Sequence, residues 1–428
     1  MPTGAGKTVV FTEIARLASE KSKTVYILVH RRELVRQASD KLSNAGVEHG
    51  IIAAGFKPSR HWVQVASVQT LVRRLLTVAR DPDLLIIDEA HHAVAGSYDK
   101  IIRRFSDAKI VGVTATPQRL DGRGLGTHFS KLVQGPTVEQ LVKENHLSTH
   151  KVFAPPVLVD LSAVKTRAGD FANDQLSDAM DRPSIVGDAV SHYRRLADGL
   201  PAIAFCCSIK HATSVCESFA AAGYRAKLVT GEMAMEERDE AILGLADGRT
   251  QVLCSIDVVS EGTDLPAVSC AILLRPTMSE ALYLQQVGRI LRPQPGKIAI
   301  VLDHVGSTVR HGFVDDIREW SLDAKAKRKS ADEPAPSVRQ CPQCFAAFKP
   351  QPTCPCCGHE FPVKPKRQLT QREGELKEMR RQDAIDRREK RQEQGRARTL
   401  PELLALAEKK GYKPGWAYKI FYGRGRKY

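Results

Sequence analysis

Short apolar runs, each closed by a polar string, set the rhythm of this chain. Thr24–His30, Trp62–Val68, Leu84–Ile87 and Ile110–Val113 are rich in β-branched residues and too short for helices. They run into Arg31-Arg32, Gln69-Thr70, Asp88-Glu89-Ala90-His91 and Thr114-Ala115-Thr116-Pro117 respectively. Helix-like stretches separate them. Such alternation predicts a parallel sheet covered on both faces, with the polar strings at the carboxyl ends of its strands. After a less regular region from about Gly122 to Asp181 the cycle repeats. Ala202–Cys206, Lys227–Thr230, Gln251–Cys254, Cys270–Leu274 and Lys297–Leu302 read as strands, with helices around 211–222 and 235–246. The pattern therefore predicts two α/β domains in tandem, meeting at a cleft.

Beyond residue 321 the rhythm stops. Leu322–Val338 shifts to Lys, Ala, Ser and Pro, a linker composition. Arg372–Arg398 is densely charged and poor in apolar residues, as expected of a solvated helix or disorder. Order returns at Thr399, a candidate N-cap, with Pro401 in the first turn and Leu403, Leu404 and Leu406 as an apolar face.

Composition changes this picture only at the C-terminal end. The 428 residues, 42% hydrophobic and 26% charged, are ordinary for a globular protein with two or three cores. The formal charge is +15, and Phe361–Tyr428 alone carries 20 Lys/Arg against 9 Asp/Glu. The basicity thus belongs to the tail and suits a polyanion, most simply nucleic acid, or else a charged solvated helix. There Tyr412, Trp416, Tyr418, Phe421 and Tyr422 alternate with Lys413, Lys419, Arg424, Arg426 and Lys427. Aromatic planes can stack bases while cations follow phosphates; a small packed helical cap is the competing reading. No apolar run is long enough to span a membrane and no signal-like leader precedes the first helix, which predicts a cytoplasmic protein without membrane partners.

Candidate chemistry begins at the first residues. Thr3-Gly4-Ala5-Gly6-Lys7-Thr8 reads as a phosphate-binding loop: glycines let the backbone close on an anion, Lys7 reaches the outer phosphates and the Thr8 hydroxyl meets Mg²⁺. The general pattern would put its first small residue at Met1, so the strand expected to feed the loop is missing from the pattern. An ordinary strand-to-helix turn is the alternative. Asp88 and Glu89 end a hydrophobic strand about 80 residues later, where one carboxylate can hold Mg²⁺ and its neighbour can deprotonate an attacking water. Together the two strings favour nucleotide hydrolysis.

Ten cysteines divide into two sets. Cys206, Cys207, Cys216, Cys254 and Cys270 stand in apolar surroundings, as reduced core residues do. Cys341-x₂-Cys344 and Cys354-x₂-Cys357 have the spacing of two zinc-ribbon knuckles, in which four thiolates surround Zn²⁺ and fold a segment too small for a core. Cys356 competes with Cys357, but the form Cys-Pro-x-Cys-Gly favours Cys357.

Taken in order, Pro2–Thr8, Asp88–His91, Thr114–Pro117, Ser260-Glu261-Gly262-Thr263-Asp264-Leu265-Pro266 and Gln285–Pro293 resemble the motifs of the superfamily 2 helicases of the DEAD/DEAH type. Leu273–Thr277 leading to Leu282–Gln286, with a cysteine module downstream, looks like the RadD-type bacterial and phage DNA-repair helicases. The resemblance implies an α/β protein with two RecA-like domains, at 1–150 and 182–321, joined by a connector at 151–181. A linker at 322–340, the ribbon at 341–360, a charged segment at 361–398 and the basic tail at 399–428 would follow. It implies ATP between the domains, held from one side by Thr3, Gly4, Ala5, Gly6, Lys7, Thr8 and Asp88. Arg289 and Arg292 would reach it from the other side as arginine fingers, with Glu89 and Gln285 also catalytic. Gly262 and Asp264 would sense nucleotide and ribose, and His91, Thr114 and Thr116 would couple the cleft to a bound strand. Arg31, Arg32, Gln37, Gln69, Thr70 and Ser260 would contact that strand through phosphate and sugar, so binding would be sequence-tolerant. Expected cofactors are ATP, Mg²⁺ and Zn²⁺; expected partners are nucleic acid, DNA rather than RNA, with single-strand-binding or repair proteins at the nucleoid. Two other classes stay open: a non-catalytic nucleic-acid-binding protein, and the motor of a larger assembly without strand separation of its own.

Overall fold

The computed structural model describes residues 1–117, 124–154, 164–167, 170–171, 176, 180, 183–256, 268–323, 337–362, 389–390, 392–397 and 399–424. They form two compact units, Met1–Pro362 and Val363–Tyr428. In the first unit β1 (Val25–Val29), β2 (His49–Ile52), β3 (Val63–Ser67), β4 (Leu84–Asp88) and β5 (Lys109–Val113) build a sheet in the order β2-β3-β1-β4-β5, parallel throughout. Central β1 is buried at every position. Val25, Ile27 and Val29 face Phe11, Ala15, Leu34 and Leu42, whereas Tyr26 and Leu28 face Ile101 and Phe105. Burial on both faces is why this strand reads as a continuous apolar run instead of an alternating one.

The second sheet is larger than the sequence pattern predicts. Besides β9 (Ala202–Phe205), β10 (Ala226–Val229), β11 (Val252–Ser255), β12 (Cys270–Leu273) and β13 (Ile298–Asp303), it contains β6 (Thr149–Phe153), β14 (Arg339–Gln340) and β15 (Ala346–Phe348). Its order is β10-β11-β9-β12-β13-β6-β15-β14, parallel as far as β6 and antiparallel beyond. A separate two-residue ladder pairs β7 (Thr166–Arg167) with β8 (Asp170–Phe171). Five strands were legible; the other three extend the edge.

Three expectations change accordingly. The first domain does not run to 150: β6 pairs with β13, and Val138, Leu141 and Leu147 pack into the second sheet's core. The region read as irregular holds a helix, Val138–Lys143, opened by a capping box in which Thr137 and Gln140 satisfy each other's backbone. The ribbon, expected as a segment of its own at 341–360, is instead joined to the second sheet. β15 lies against β6, the Ala154 N–H donates to the Phe345 carbonyl at 2.9 Å, and Phe345, at φ +65°, sits beside His192 and under Arg195. Of the five cysteines expected in the core, Cys206, Cys207, Cys254 and Cys270 are buried and outside any disulfide, whereas Cys216 is half-buried; burial pushes the Cys206 and Cys270 thiols well up.

In the second unit Leu400–Lys409 and Pro414–Arg424 are helices. Thr399 is the N-cap of the first of these, and the Glu402 carboxylate accepts from the Thr399 N–H at 3.0 Å, the N3-to-cap bond of a capping box. Leu403, Ala407 and Ala417 form the small core, with Trp416 and Phe421 packed on it. Those two aromatics therefore serve the cap, while Tyr412, Tyr418 and Tyr422 stay exposed. Arg426 and Lys427 lie outside the described residues, as does most of the charged segment 361–398. No described helix is long and apolar enough to cross a membrane.

Candidate nucleotide and nucleic-acid site

The loop before the first helix is shaped by two glycines in the left-handed region, Gly4 at φ +84° and Gly6 at φ +81°. The Ala5 N–H donates to the Pro2 carbonyl at 3.2 Å, closing the turn. Gly6 caps Lys7–Glu20 without any side-chain bond, so the first-turn amides and the positive end of the helix dipole face whatever fills the loop. Within it the Thr3 hydroxyl is buried with no hydrogen-bond partner among the described residues. Open amides, an orphaned hydroxyl and a lysine together fit a phosphate chain.

Lys7 Nζ stands 3.3 Å from Glu89 Oε1, both side chains nearly buried at 13% and 11% exposure. Glu89 follows β4 in the left-handed region at φ +47°, a conformation that costs a non-glycine residue about 1 kcal/mol or more and clusters at functional sites. Its N–H donates to Asp88 Oδ1 at 2.9 Å. Burial raises the Asp88 carboxyl to about 6, and the Glu89 charge adds to this; Lys7, the Glu89 N–H and His30 oppose it. Burial also works to raise Glu89, but Lys7 and His91 overcome it and hold that carboxylate well below its usual range. Glu89 is thus ionised and Asp88 poised, the pair needed for a base beside a cation ligand. Thr8 and Asp88 are the residues that would hold Mg²⁺.

The string after β5 meets this centre. His91 Nδ1 lies 3.1 Å from Thr114 Oγ1 and 3.4 Å from Glu89 Oε2. The Thr114 hydroxyl donates to the Thr116 carbonyl at 3.1 Å, and Thr116 is buried.

From the other domain comes the helix Glu280–Ile290. A Cβ built on Gly288 would stand 2.4 Å from Thr3 Cβ, and one on Gly4 would stand 3.8 Å from Arg292 Cγ. The two domains therefore touch at the loop itself, and a side chain at position 288 would hold them apart. Gln285 and Arg289 are buried in this helix, and Arg292 follows its end. The Arg292 carbonyl is pinned by Ser148 Oγ at 3.1 Å and Lys297 Nζ at 2.9 Å. A cavity of about 450 Å³ opens beside the contact, reaching from Lys7 and Gly288 along Val111–Val113 of β5, an edge strand of the first sheet.

The residues expected to touch a strand lie apart from this cleft along the chain. Arg31 is the N-cap of Arg32–Asn44, Gln37 is half-buried on that helix, and Gln69 and Thr70 follow β3. The Gln69 amide donates to the His30 carbonyl at 2.7 Å and accepts from Ser67 Oγ at 2.9 Å, joining the ends of β1 and β3. Ser260, Gly262 and Asp264 lie outside the described residues. Sequence reasoning missed His30 and His92. His30 ends the first apolar run and His92 extends the Asp-Glu-Ala-His string, but only the fold shows their rings 4.7 Å apart.

In the ribbon the Sγ atoms of Cys341, Cys344, Cys354 and Cys357 lie within 4.8 Å of one another, with Cys341–Cys357 at 3.5 Å and Cys344–Cys354 at 3.6 Å. Tetrahedral thiolates around Zn²⁺ would stand about 3.8 Å apart, so the set can close on that ion with little movement. Cys356 is outside the cluster; its N–H donates to Cys354 Sγ at 3.4 Å.

Comparison with known proteins agrees with this geometry. Residues 1–119 match the profile described as "Type III restriction enzyme, res subunit", and residues 186–294 match "Helicase conserved C-terminal domain". The "51.5 kDa protein" of a Lactococcus phage (isolate 7-9) is 35% identical over 377 residues, covering 88% of this chain and 80% of its own length. IRC3 of Saccharomyces cerevisiae, provisionally named an ATP-dependent helicase, is 33% identical over 335 residues, 72% of this chain and 48% of its own. The chain thus spans about half the length of that yeast relative. Among solved structures, the ATP-dependent Type ISP restriction-modification enzyme LlaBIII bound to DNA shares the fold at a TM-score of 0.51 and 18% identity, over 71% of this chain and 26% of that one. With two parallel-sheet domains, a nucleotide loop facing an arginine-bearing helix and both domain profiles in order, the chain belongs to the ATP-hydrolysing helicases of superfamily 2.

Proposed function

We propose that this chain is a DNA translocase or helicase that works in repair or recombination. One observation carries the reading: Lys7 and Glu89 stand on one side of a contact whose other side is Gly288 and Arg292. ATP with Mg²⁺ supplies the phosphoryl group to be transferred. The chain's own residues would bind its phosphates at the loop, hold the base at Glu89 and bring positive charge from the second domain. Because triphosphate must displace Lys7 from Glu89, nucleotide binding releases the base toward water. Closure and opening of the domains, with unequal grip at Arg31 and Gln69, would then move the strand as a population shift. DNA in preference to RNA, and a repair setting at the nucleoid, are supported by the likeness of Leu273–Gln286 and the cysteine module to RadD-type enzymes.

The test is ATP hydrolysis measured side by side with no polymer, single-stranded DNA, duplex DNA and RNA. Stimulation chiefly by DNA is the expected result. Hydrolysis absent under all four conditions would leave a nucleic-acid-binding protein, and stimulation without displacement of a strand from an overhanged duplex would leave a motor for a larger assembly.

Two further outcomes belong to this reading. Zinc is expected at one ion per chain by elemental analysis. Because β15 and Phe345 brace β6, stripping it with a chelator is expected to cost the second domain about 3 kcal/mol or more, a fall in Tm of roughly 6–12 °C by circular dichroism. Identical melts before and after removal would sink the ribbon as a metal site. In the tail, Tyr418 and Tyr422 present rings 6.5 Å apart and 13° from parallel on one helix face, with Lys413 and Lys419 nearby in sequence. Deleting 399–428 is expected to weaken single-strand binding and to flatten log K against log salt by about 1–2, roughly 0.7 per lost phosphate contact. Affinity unchanged across salt concentrations removes the tail from the binding surface.

A further inference from the structure

We propose that His30, His92 and His91 form a column of imidazole rings that transmits strand occupancy at the β1 and β3 loops to Glu89; this rests on the nucleic-acid reading above. The rings of His30 and His92 lie 4.7 Å apart and those of His92 and His91 4.1 Å apart. At one end, the peptide of His30 takes the hydrogen bond from Gln69, whose amide plane is fixed on its other side by Ser67. One N–H of that amide remains to meet a phosphate or sugar oxygen, so a strand that pulls on Gln69 pulls on the His30 peptide. At the other end, His91 Nδ1 reaches Glu89 Oε2 at 3.4 Å and Thr114 Oγ1 at 3.1 Å.

The path has the physical character of a linkage. The three rings are in contact and only partly exposed, so a displacement of His30 is passed to His92 and from His92 to His91. Its terminus is the carboxylate assigned as the base. Glu89 is held in a left-handed conformation and shared between Lys7 and His91, so a small shift of His91 changes which partner holds it. His30 and His92 are positioning residues, acting on the reaction through His91 and Glu89.

The experiment compares intact wild-type protein with His92→Ala, His92→Phe and His30→Phe. For each, kcat for ATP is measured with and without saturating oligo-dT, and the Kd for a fluorescent oligo-dT by anisotropy. His92→Ala is expected to cut the ratio of stimulated to basal kcat about tenfold while Kd stays within twofold. The two phenylalanine variants, which keep a ring in the column, are expected to retain at least half of the stimulation. Full stimulation in His92→Ala overturns the proposal. So does loss of stimulation in alanine and phenylalanine variants alike, or loss of cooperative melting in both, since those results assign the histidines to hydrogen bonding or folding. If wild-type protein itself shows no stimulation by any polymer, the nucleic-acid reading fails, a result distinct from failure of the column alone.

Discussion

Glu89→Gln is expected to lower kcat for ATP hydrolysis by about 10²–10⁴-fold while ATP still binds. The glutamine keeps the shape of the side chain in its nearly buried place but cannot take a proton from water. The carboxylate it replaces is ionised because Lys7 and His91 hold it so against burial. Lys7 also loses the partner it must leave when triphosphate arrives, so the Kd for nucleotide should stay the same or fall. Single-turnover hydrolysis and equilibrium binding of a fluorescent ATP analogue separate the two effects. More than a tenth of the wild-type kcat in the variant would remove Glu89 from the role of base. A rise in Kd equal to the loss in kcat would show that Glu89 builds the loop and leaves the water to another group.

Arg292→Ala should be of comparable size and opposite origin. An arginine that reaches a transferring phosphoryl across a domain boundary is worth on the order of 10³–10⁵ in rate. The backbone of Arg292 is already fixed by Ser148 and Lys297, and its side chain starts beside Gly4 of the loop. Truncation therefore removes charge at the phosphates without loosening the element that carries it. The expected result is a fall in single-turnover kcat of about 10³ with nucleotide Kd within a few-fold and an unchanged melt. Arg292→Lys should recover little, since a lysine presents a point charge where a planar fork is needed. Retention of near-normal turnover in Arg292→Ala would shift the finger role to Arg289, which is buried in the preceding helix.

Much of the fold was readable because its central strands are buried on both faces. Val25–Val29 and Cys270–Leu273 have no solvent-facing side to disguise them, so they stand out as apolar runs. β2 and β6 were not readable for the converse reason. His49–Ile52 and Thr149–Phe153 lie nearer the edges, are only partly buried, and take their strand conformation from the neighbours they pair with. Likewise Thr137-x-x-Gln140 carried a helix-start signal inside a region whose overall irregularity masked it. In the tail, five aromatics looked equivalent along the chain; packing took Trp416 and Phe421 inward and left three tyrosines outside.

The same division runs through the site. Loop glycines, the lysine beside them, the Asp-Glu pair and the spacing of four cysteines are local requirements, imposed by backbone conformation, a strand end or the size of an ion. Sequence alone therefore settled which groups of chemistry the chain carries and in what order. It did not settle that Lys7 pairs with Glu89 across 82 positions, that Thr3 meets Gly288, that the ribbon continues the second sheet, or that three histidine rings lie against one another. Those contacts depend on strand order and on which faces are buried together. Each joins segments whose local preferences are indifferent to one another, so only the packed tertiary structure could choose them.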